Sequence, residues 1–330
     1  METTTVQQEL FARLKQMLPA HVSLAAELGD LLGLSADSIY RRIRCEKPIT
    51  IDELKKICEH YRLSLDQLLQ LKTESVLFNA PGLNGSSGNF EDYLQAMLKQ
   101  FKYFNSFKER EIFYLCKDAP IWYFYLFPEL AAFKTFFWSK TINNQQELAG
   151  KKFSVAAFPY TECFNIGQKV LEEHSKINST ELWNLESIHS TINQVAYYRD
   201  AGIFESDVDL NSVINSFLQW LDHLELQAEK GYKFMPGAGD AAHRSPLHFY
   251  VNELILGNNT MVIKLDEKEL SMVTYSVFQY LFTDDIRFSA KAMSSFNTLL
   301  SRSALISKAG EKERIRFFNV LRDKVNALKR

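Results

Sequence analysis

Two short helical patterns separated by one glycine, at residues 22–50, constrain this 330-residue chain more than any other feature. Ser23 precedes the first apolar stripe and Gly33 follows it, as is typical of a capped helix that ends in a left-handed residue. Ser35 then opens a second helix after only one more residue. Gly29 lies where two helices that cross so soon must approach each other closely. This spacing predicts a helix-turn-helix motif.

The second predicted helix has one apolar edge and one basic edge. At about 100° per residue, Ile39 and Ile43 share the buried edge, and Leu34 helps to hold this helix on the first. The opposite edge and its flanks carry Asp37, Arg41, Arg44, Ser38, Tyr40 and Arg42. Such a helix suits the major groove of DNA, where arginine pairs with guanine edges and neighbouring side chains hold phosphates. For Asp37, an interaction with the positive helix end is a better explanation than a contact with cytosine.

N-cap signals recur through the first 70 residues and predict five short helices there. Capping boxes begin at Thr5, Thr50 and Ser64. Eight of the nine residues 81–89 are Pro, Gly, Asn or Ser, which is the composition of a flexible linker. We therefore predict a helix-turn-helix domain at residues 1–72, a linker at 73–89 and a second domain at 90–330.

The second domain is predicted to be mainly helical, with a small antiparallel sheet. Helical spacing marks residues 90–104, 128–138, 180–200, 208–230, 288–302 and 311–328. The segment EIFYLCK at 111–117 is a candidate strand, and apolar runs separated by turns at 247–275 predict an antiparallel β-meander. The predicted fold class is therefore mainly α: a five-helix N-terminal domain joined by a flexible linker to a larger, mostly helical domain.

Several classes of protein are disfavoured. The N-terminus lacks the basic and apolar stretches of a signal peptide, and the most apolar window, 119–138, is interrupted by prolines and charges. We therefore expect a cytoplasmic protein with no membrane partner. The four cysteines lack CxxC spacing and histidines at ligand distance, so we expect reduced thiols, no metal and no cofactor. Motifs such as Gly-x-Ser-x-Gly are absent, and we expect no enzymatic activity.

Charge is distributed unevenly, although the formal net charge is only −2. Residues 287–330 carry +8 and the preceding 286 residues carry −10. The basic segment 302–330 has helical amphipathicity, and docking on the acidic body explains it better than a second DNA contact or a membrane-surface helix. A separate basic cluster is formed by Arg41, Arg42, Arg44 and Lys47. Local clusters of this kind, rather than total charge, attract nucleic acid.

Residues 20–70 resemble the helix-turn-helix domain of the XRE (Cro/repressor-like) transcriptional regulators, with LSADSIYRRIR as the recognition helix and SLDQLL near the end. The segment DSIYRRIR also resembles, more loosely, BetR-type phage repressors. The resemblance implies DNA-reading positions at Ser35, Asp37, Ser38, Arg41 and Arg42, with a backbone contact near Lys47. Where the family commonly has an acidic residue and a glycine after this helix, the chain has Arg44, Cys45 and Glu46.

Two further segments have features of ligand sites. Residues 101–138 contain fifteen aromatic rings, for which core packing is a better explanation than an effector pocket. The loop 233–246 combines glycines with Asp240, His243 and Arg244, which together suggest anion binding. This loop lacks the lysine of a P-loop, and a surface loop is the better explanation.

These observations predict a sequence-specific transcriptional regulator that binds double-stranded DNA as a homodimer. The expected DNA contacts are Ser35, Asp37, Ser38, Tyr40, Arg41, Arg42, Arg44 and Lys47. The second domain is expected to dimerise the chain or to sense a small-molecule effector. Two alternatives remain open: a scaffold whose helix-turn-helix docks a protein partner, and a second domain that binds a small molecule or nucleotide.

Overall fold

The chain divides into two compact units after residue 77. The computed structural model describes residues 5–18, 22–61, 63, 65, 75–80, 89–157, 160–237, 244–253, 257–277 and 279–329. The division lies inside the predicted linker 73–89, whose glycine-rich part lies outside the described residues. Phe78 and Asn79 belong to the second unit instead of the linker, because Asn79 pairs with the backbone of Phe282 and the Phe78 ring packs edge-on against Phe288.

In the first unit, the described residues form short helices, as predicted. They are α1 (Val6–Met17), α2 (Leu24–Leu32), α3 (Ala36–Ile43) and α4 (Ile51–Tyr61). The capping box at Thr5 is confirmed, because its hydroxyl accepts from the Gln8 N–H and the Gln8 side chain accepts from the Thr5 N–H. The box that begins at Thr50 has the same two bonds. The predicted fifth helix after Ser64 lies outside the described residues.

The second unit contains both helices and strands. Its helices are α5 (Phe90–Asn105), α6 (Pro128–Phe137), α7 (Thr161–His174), α8 (His189–Asp200), α9 (Asp207–Lys230), α10 (Ile286–Leu300) and α11 (Glu311–Asn326). Its strands are β1 (Arg110–Leu115), β2 (Asn178–Trp183), β3 (Leu247–Val251), β4 (Thr260–Leu265), β5 (Lys268–Thr274), β6 (Tyr280–Thr283) and β7 (Ala304–Leu305). Short 3-10 or π helices lie at Ile121–Leu126, Trp138–Ile142, Gln146–Leu148 and Ala327–Lys329.

The described strands form one mixed sheet in the order β6-β5-β4-β1-β2-β3-β7. The central strands β1, β2 and β3 are parallel, and the outer pairings are antiparallel. The predicted small meander is therefore wrong in its first strand, since β1 and β2 separate β3 from β4, and the antiparallel run is β4-β5-β6. A buried parallel strand is an apolar run that looks like a hairpin strand in the sequence, which explains the error.

The helix predicted at residues 180–200 begins only at His189, because the segment before it contributes the strand β2. Glu181 of this strand is buried, and its carboxylate accepts hydrogen bonds from the Tyr123 hydroxyl at 2.7 Å and from the Trp183 indole N–H at 2.9 Å. A polar residue that finds its partners across the fold interrupts the apolar pattern of a strand. The sequence pattern therefore does not reveal β2, a central strand of the sheet.

The aromatic block 101–138 packs mostly as core, as predicted. Its fully buried rings include Trp122, Tyr123, Tyr125, Phe133 and Phe136. This main core lies between one face of the sheet and the helices α5, α6, α7, α8, α9 and α11. Helix α10 covers part of the opposite face, where Phe296 packs edge-on against Phe113. The sheet thus has helices on both faces.

Helix α11 carries the basic C-terminal segment and docks on acidic residues of the same unit, as predicted. Its apolar edge packs against α9. Arg322 pairs with Asp222 at 2.8 Å and also with Glu225 of α9. Lys324 pairs with Glu186 at 3.2 Å. Part of the positive charge of the segment is therefore matched within the second unit.

The structure describes only part of the loop 233–246, for which the sequence suggests anion binding. Asp240 and His243 lie outside the described residues, and Arg244 donates to the Tyr232 hydroxyl at 3.1 Å. Within the described ranges, no three His, Cys, Asp or Glu side chains lie together as a metal ion would require. Among the helices described, none has the length and apolar character needed to cross a membrane.

Lys134 of α6 is buried beside hydroxyl, amide and aromatic groups, and the nearby Asp118 offsets only part of the effect of burial on its pKa. Its ammonium group donates to the Thr191 hydroxyl at 3.0 Å and to the Gln194 side-chain oxygen at 2.7 Å. The rings of Phe124 and Trp138 have their centres 4.2 and 4.6 Å from the same nitrogen. Because burial disfavours the charged form, the pKa of Lys134 falls to about 7.

We expect Lys134→Met to flatten the pH dependence of stability. Between pH 7 and the unfolded pKa of about 10.4, the unfolded chain binds the extra proton, so stability rises with pH by about 1.4 kcal/mol per unit for this group. Denaturant unfolding of the second unit at pH 7.5 to 9.5 should show that slope removed in the variant. The exposed Lys151→Met is the control, and equal slopes in all three proteins would contradict the expectation.

Candidate nucleic-acid interface

The turn between α2 and α3 has the geometry that the sequence predicts. Gly33 is left-handed, with φ 67° and ψ 38°, and the Ser35 hydroxyl caps α3 by accepting from the Ser38 N–H. A Cβ atom on Gly29 would lie 3.1 Å from the carbonyl oxygen of Leu34, so the close approach leaves little room for a larger residue. Helices α2 and α3 therefore form a helix-turn-helix.

The two edges of α3 have opposite environments. Ile39 is fully buried in a cluster with Leu28 and Ile57, and Ile43 packs against the same cluster. Exposed residues of the opposite edge and the following loop are Ser35, Asp37, Tyr40, Arg41, Arg44 and Lys47. The side chains of Arg41 and Arg44 are 53% and 55% exposed. The inner edge is thus fixed to the unit, and the outer edge is available to a partner.

Arg42 does not lie on this outer edge, although the sequence predicts it as a DNA contact. Its side chain is only 4% exposed. The guanidinium donates to both carboxylate oxygens of Glu53, at 2.6 and 3.0 Å, and to the hydroxyl and carbonyl oxygens of Ser38, at 2.8 and 3.1 Å. We correct the prediction accordingly: Arg42 lies on the side of α3 that faces α4, and it ties these helices together.

Glu53 serves two structural purposes. Besides the pair with Arg42, its carboxylate accepts from the Thr50 N–H at 3.0 Å and so completes the cap of α4. Partial burial raises the pKa of Glu53, but the hydrogen bonds from Arg42 and Thr50 outweigh this effect and leave the pKa below its ordinary value. One carboxylate thus holds α3 and starts α4.

The backbone after α3 turns sharply at Cys45, which has a left-handed φ of 60°. The next two N–H groups, of Glu46 and Lys47, both donate to the carbonyl oxygen of Arg41, at 2.8 and 3.2 Å. The resembling family commonly has a glycine in this region, and left-handed backbone is the conformation that glycine favours. Cys45 therefore adopts a glycine-like turn without the glycine.

Gln7 of α1 fixes the same loop, and sequence reasoning missed it. Its amide nitrogen donates to the carbonyl oxygens of Arg42 and Lys47, both at 2.8 Å. Its oxygen accepts from the Ile49 N–H at 3.0 Å. A glutamine in an ordinary helical pattern carries no local signal for three bonds to a loop about 40 residues away.

Arg41, Arg44 and Glu46 form a charged cluster at the C-terminal end of α3. The Arg44 guanidinium donates to both carboxylate oxygens of Glu46, at 2.7 and 3.1 Å. Arg41 Nε lies 3.9 Å from the same carboxylate. The hydrogen bond from Arg44 lowers the pKa of Glu46, so the cluster is ionised at neutral pH. The exposed edge therefore carries two arginines that lie close to the same carboxylate.

These features define a helix-turn-helix module with an exposed basic edge. Residues 3–90 match the BetR domain, a helix-turn-helix family, which is the looser of the two resemblances seen in the sequence. The match covers this segment of the chain and leaves the second unit almost entirely outside it. Neither a curated protein nor a solved structure matches the chain.

We expect Arg42→Met to destabilise the first unit by about 3 kcal/mol at pH 7, because it leaves the Glu53 carboxylate without its main partner. The folded pKa of Glu53 is lowered, so the stability from this pair is present above the unfolded pKa of about 4.3 and is lost as pH falls through the folded value. Denaturant unfolding of residues 1–77 should therefore show the difference shrinking toward pH 3. A difference independent of pH would contradict the assigned role.

Proposed function

We propose that the protein is a sequence-specific, DNA-binding transcriptional regulator of the XRE type that acts in the cytoplasm. The observation that carries the proposal is the basic outer edge of α3, exposed opposite the buried Ile39, in a segment that matches the BetR domain. A helix fixed on one edge and rich in arginine on the other is suited to the major groove.

The side chains of this edge suit different contacts. Arg41, exposed in the last turn of α3, suits pairing with guanine through its planar guanidinium. Arg44 and Lys47, at the end of α3 and in the loop, suit phosphate oxygens. Tyr40 offers a ring and a hydroxyl beside them, and Ser35 and Asp37 begin the helix. Ser38 contributes less, because its hydroxyl already accepts from Arg42.

The proposed role of the second unit follows from the small size of the helix-turn-helix. One helix-turn-helix buries little surface on DNA, and pairing on two half-sites about 34 Å apart is the usual remedy. We propose that the second unit pairs two chains and that the protein acts by binding rather than by catalysis. Control of this pairing by a small-molecule effector is part of the same proposal.

Arg41→Ala should weaken binding to the preferred sequence by about 1–3 kcal/mol and leave stability nearly unchanged, because the side chain is exposed. The preferred sequence is first selected from random duplexes with the full chain, and affinities are then measured at several salt concentrations. Lys55→Ala removes another exposed positive charge, on α4, and is the control. Equal affinity of the Arg41 variant and the parent would contradict the assignment. If the affinity for DNA did not fall steeply with salt, phosphate contacts would not be its source. That result would favour a helix-turn-helix that docks a protein partner.

Separate fragments of the two units should show that one binds DNA and the other dimerises. We expect residues 1–77 to be monomeric and to bind a half-site weakly, and residues 78–330 to dimerise and to ignore DNA. The full chain should bind its site about 10² to 10⁴ times more tightly than the first unit, because pairing makes the second contact intramolecular. Sedimentation and DNA titrations measure both properties. A monomeric second unit, or a first unit that binds as tightly as the full chain, would refute this arrangement.

A further inference from the structure

Glu46 is the acidic residue of the exposed cluster defined above, and it lies beside the basic edge of α3. A DNA-binding surface attracts phosphates with positive charge, and a carboxylate beside that charge opposes the attraction. Glu46 nevertheless makes two hydrogen bonds with Arg44 and lies 3.9 Å from Arg41. It therefore affects both exposed arginines of α3.

The position of this carboxylate is built by the backbone. The left-handed Cys45 turns the chain back, and the Glu46 N–H donates to the Arg41 carbonyl at 2.8 Å. The Gln7 side chain then fixes the loop on both sides of Glu46, at the carbonyl oxygens of Arg42 and Lys47. Glu46 is thus held against the end of α3 by bonds that do not involve its own side chain.

Dissolved salt adds little screening between Glu46 and the two arginines, although water keeps each of these exposed pairs modest in strength. The distances of 2.7 and 3.9 Å are shorter than the Debye length of about 8 Å at physiological salt. For Arg44 to contact a phosphate, it must give up two charge-assisted hydrogen bonds and bring the phosphate close to a carboxylate. Glu46 therefore competes with phosphate for Arg44.

This competition affects the two kinds of DNA complex unequally. On an arbitrary sequence, phosphate contacts supply essentially all of the affinity, so withholding Arg44 removes one of the contacts on which that affinity depends. On the preferred sequence, base contacts such as the one proposed for Arg41 add to the phosphate contacts. Arg41, which lies 3.9 Å from the Glu46 carboxylate, stays exposed and can still pair with a base edge.

We infer that Glu46 is a specificity-determining residue, which lowers the affinity for DNA of arbitrary sequence more than the affinity for the preferred site. The inference rests on the proposed function of α3 as a DNA-reading helix. It assigns to Glu46 the role of a carboxylate that occupies Arg44 and restrains Arg41 until base contacts are available.

The test is Glu46→Gln in the full chain, with Glu59→Gln as the matched control. Both changes remove one exposed negative charge from the same unit, but Glu59 pairs with Lys55 on α4 and not with an arginine of α3. The probes are the selected duplex and a duplex of the same composition in shuffled order. We expect Glu46→Gln to bind the shuffled duplex about 3 to 10 times more tightly and the selected duplex less than twofold more tightly. The salt slope on the shuffled duplex should steepen by about 0.9, the value for one added phosphate contact.

A second pair of variants separates the arginine from the general charge. In an Arg44→Ala background, Glu46→Gln should change binding to the shuffled duplex no more than Glu59→Gln does, because Arg44, the arginine that Glu46 would release to a phosphate, is gone. Equal effects of Glu46→Gln and Glu59→Gln in the parent, or an unchanged ratio of the two affinities, would overturn the inference alone. A parent chain that binds neither duplex would overturn the proposed function and the inference with it.

Discussion

The bidentate ion pair between Arg42 and Glu53 determines which edge of α3 in the helix-turn-helix faces solvent. It joins α3 to α4 along the side of α3 next to Ile39, so the opposite side must face solvent. Because Glu53 also caps α4, this interaction sets both the rotation of α3 and the start of the next helix. A nearly buried arginine is stable there only because its donors have acceptors on Glu53 and Ser38. The exposed edge with Arg41 is thus a consequence of packing behind it.

Much of the candidate interface could be predicted, because its signals are local. Gly33 and the caps at Thr5, Ser35 and Thr50 act within a few residues, and the spacing from these positions sets the buried and exposed edges. The role of Arg42 could not be predicted in this way. A run of arginines shows the charge of a segment but not which member finds a carboxylate on another helix, and Gln7 is hidden for the same reason.

The second unit was harder to predict because its decisive interactions are not local. Its sheet order depends on pairings between strands far apart in the chain, such as β1 with β4. The strand β2 is polar at Ser179 and Glu181, whose partners come from Tyr123 and Lys233 elsewhere in the fold. The helices α9 and α11 were recovered with nearly correct bounds, because their apolar spacing continues over several turns. Long helices with regular apolar spacing can be predicted from a single sequence, whereas the pairing of distant strands cannot.

The placement of charge also distinguishes the two units. The basic C-terminal helix would attract phosphate if it were unpaired, but Arg322 pairs with Asp222 and Glu225, and Lys324 pairs with Glu186. Exposed pairs of this kind add little stability, yet they neutralise charge wherever they form. The long-range attraction of this unit for DNA is correspondingly weakened. If the chain reads DNA, the contacts are therefore to be sought in the first unit, where Arg41 and Arg44 are exposed.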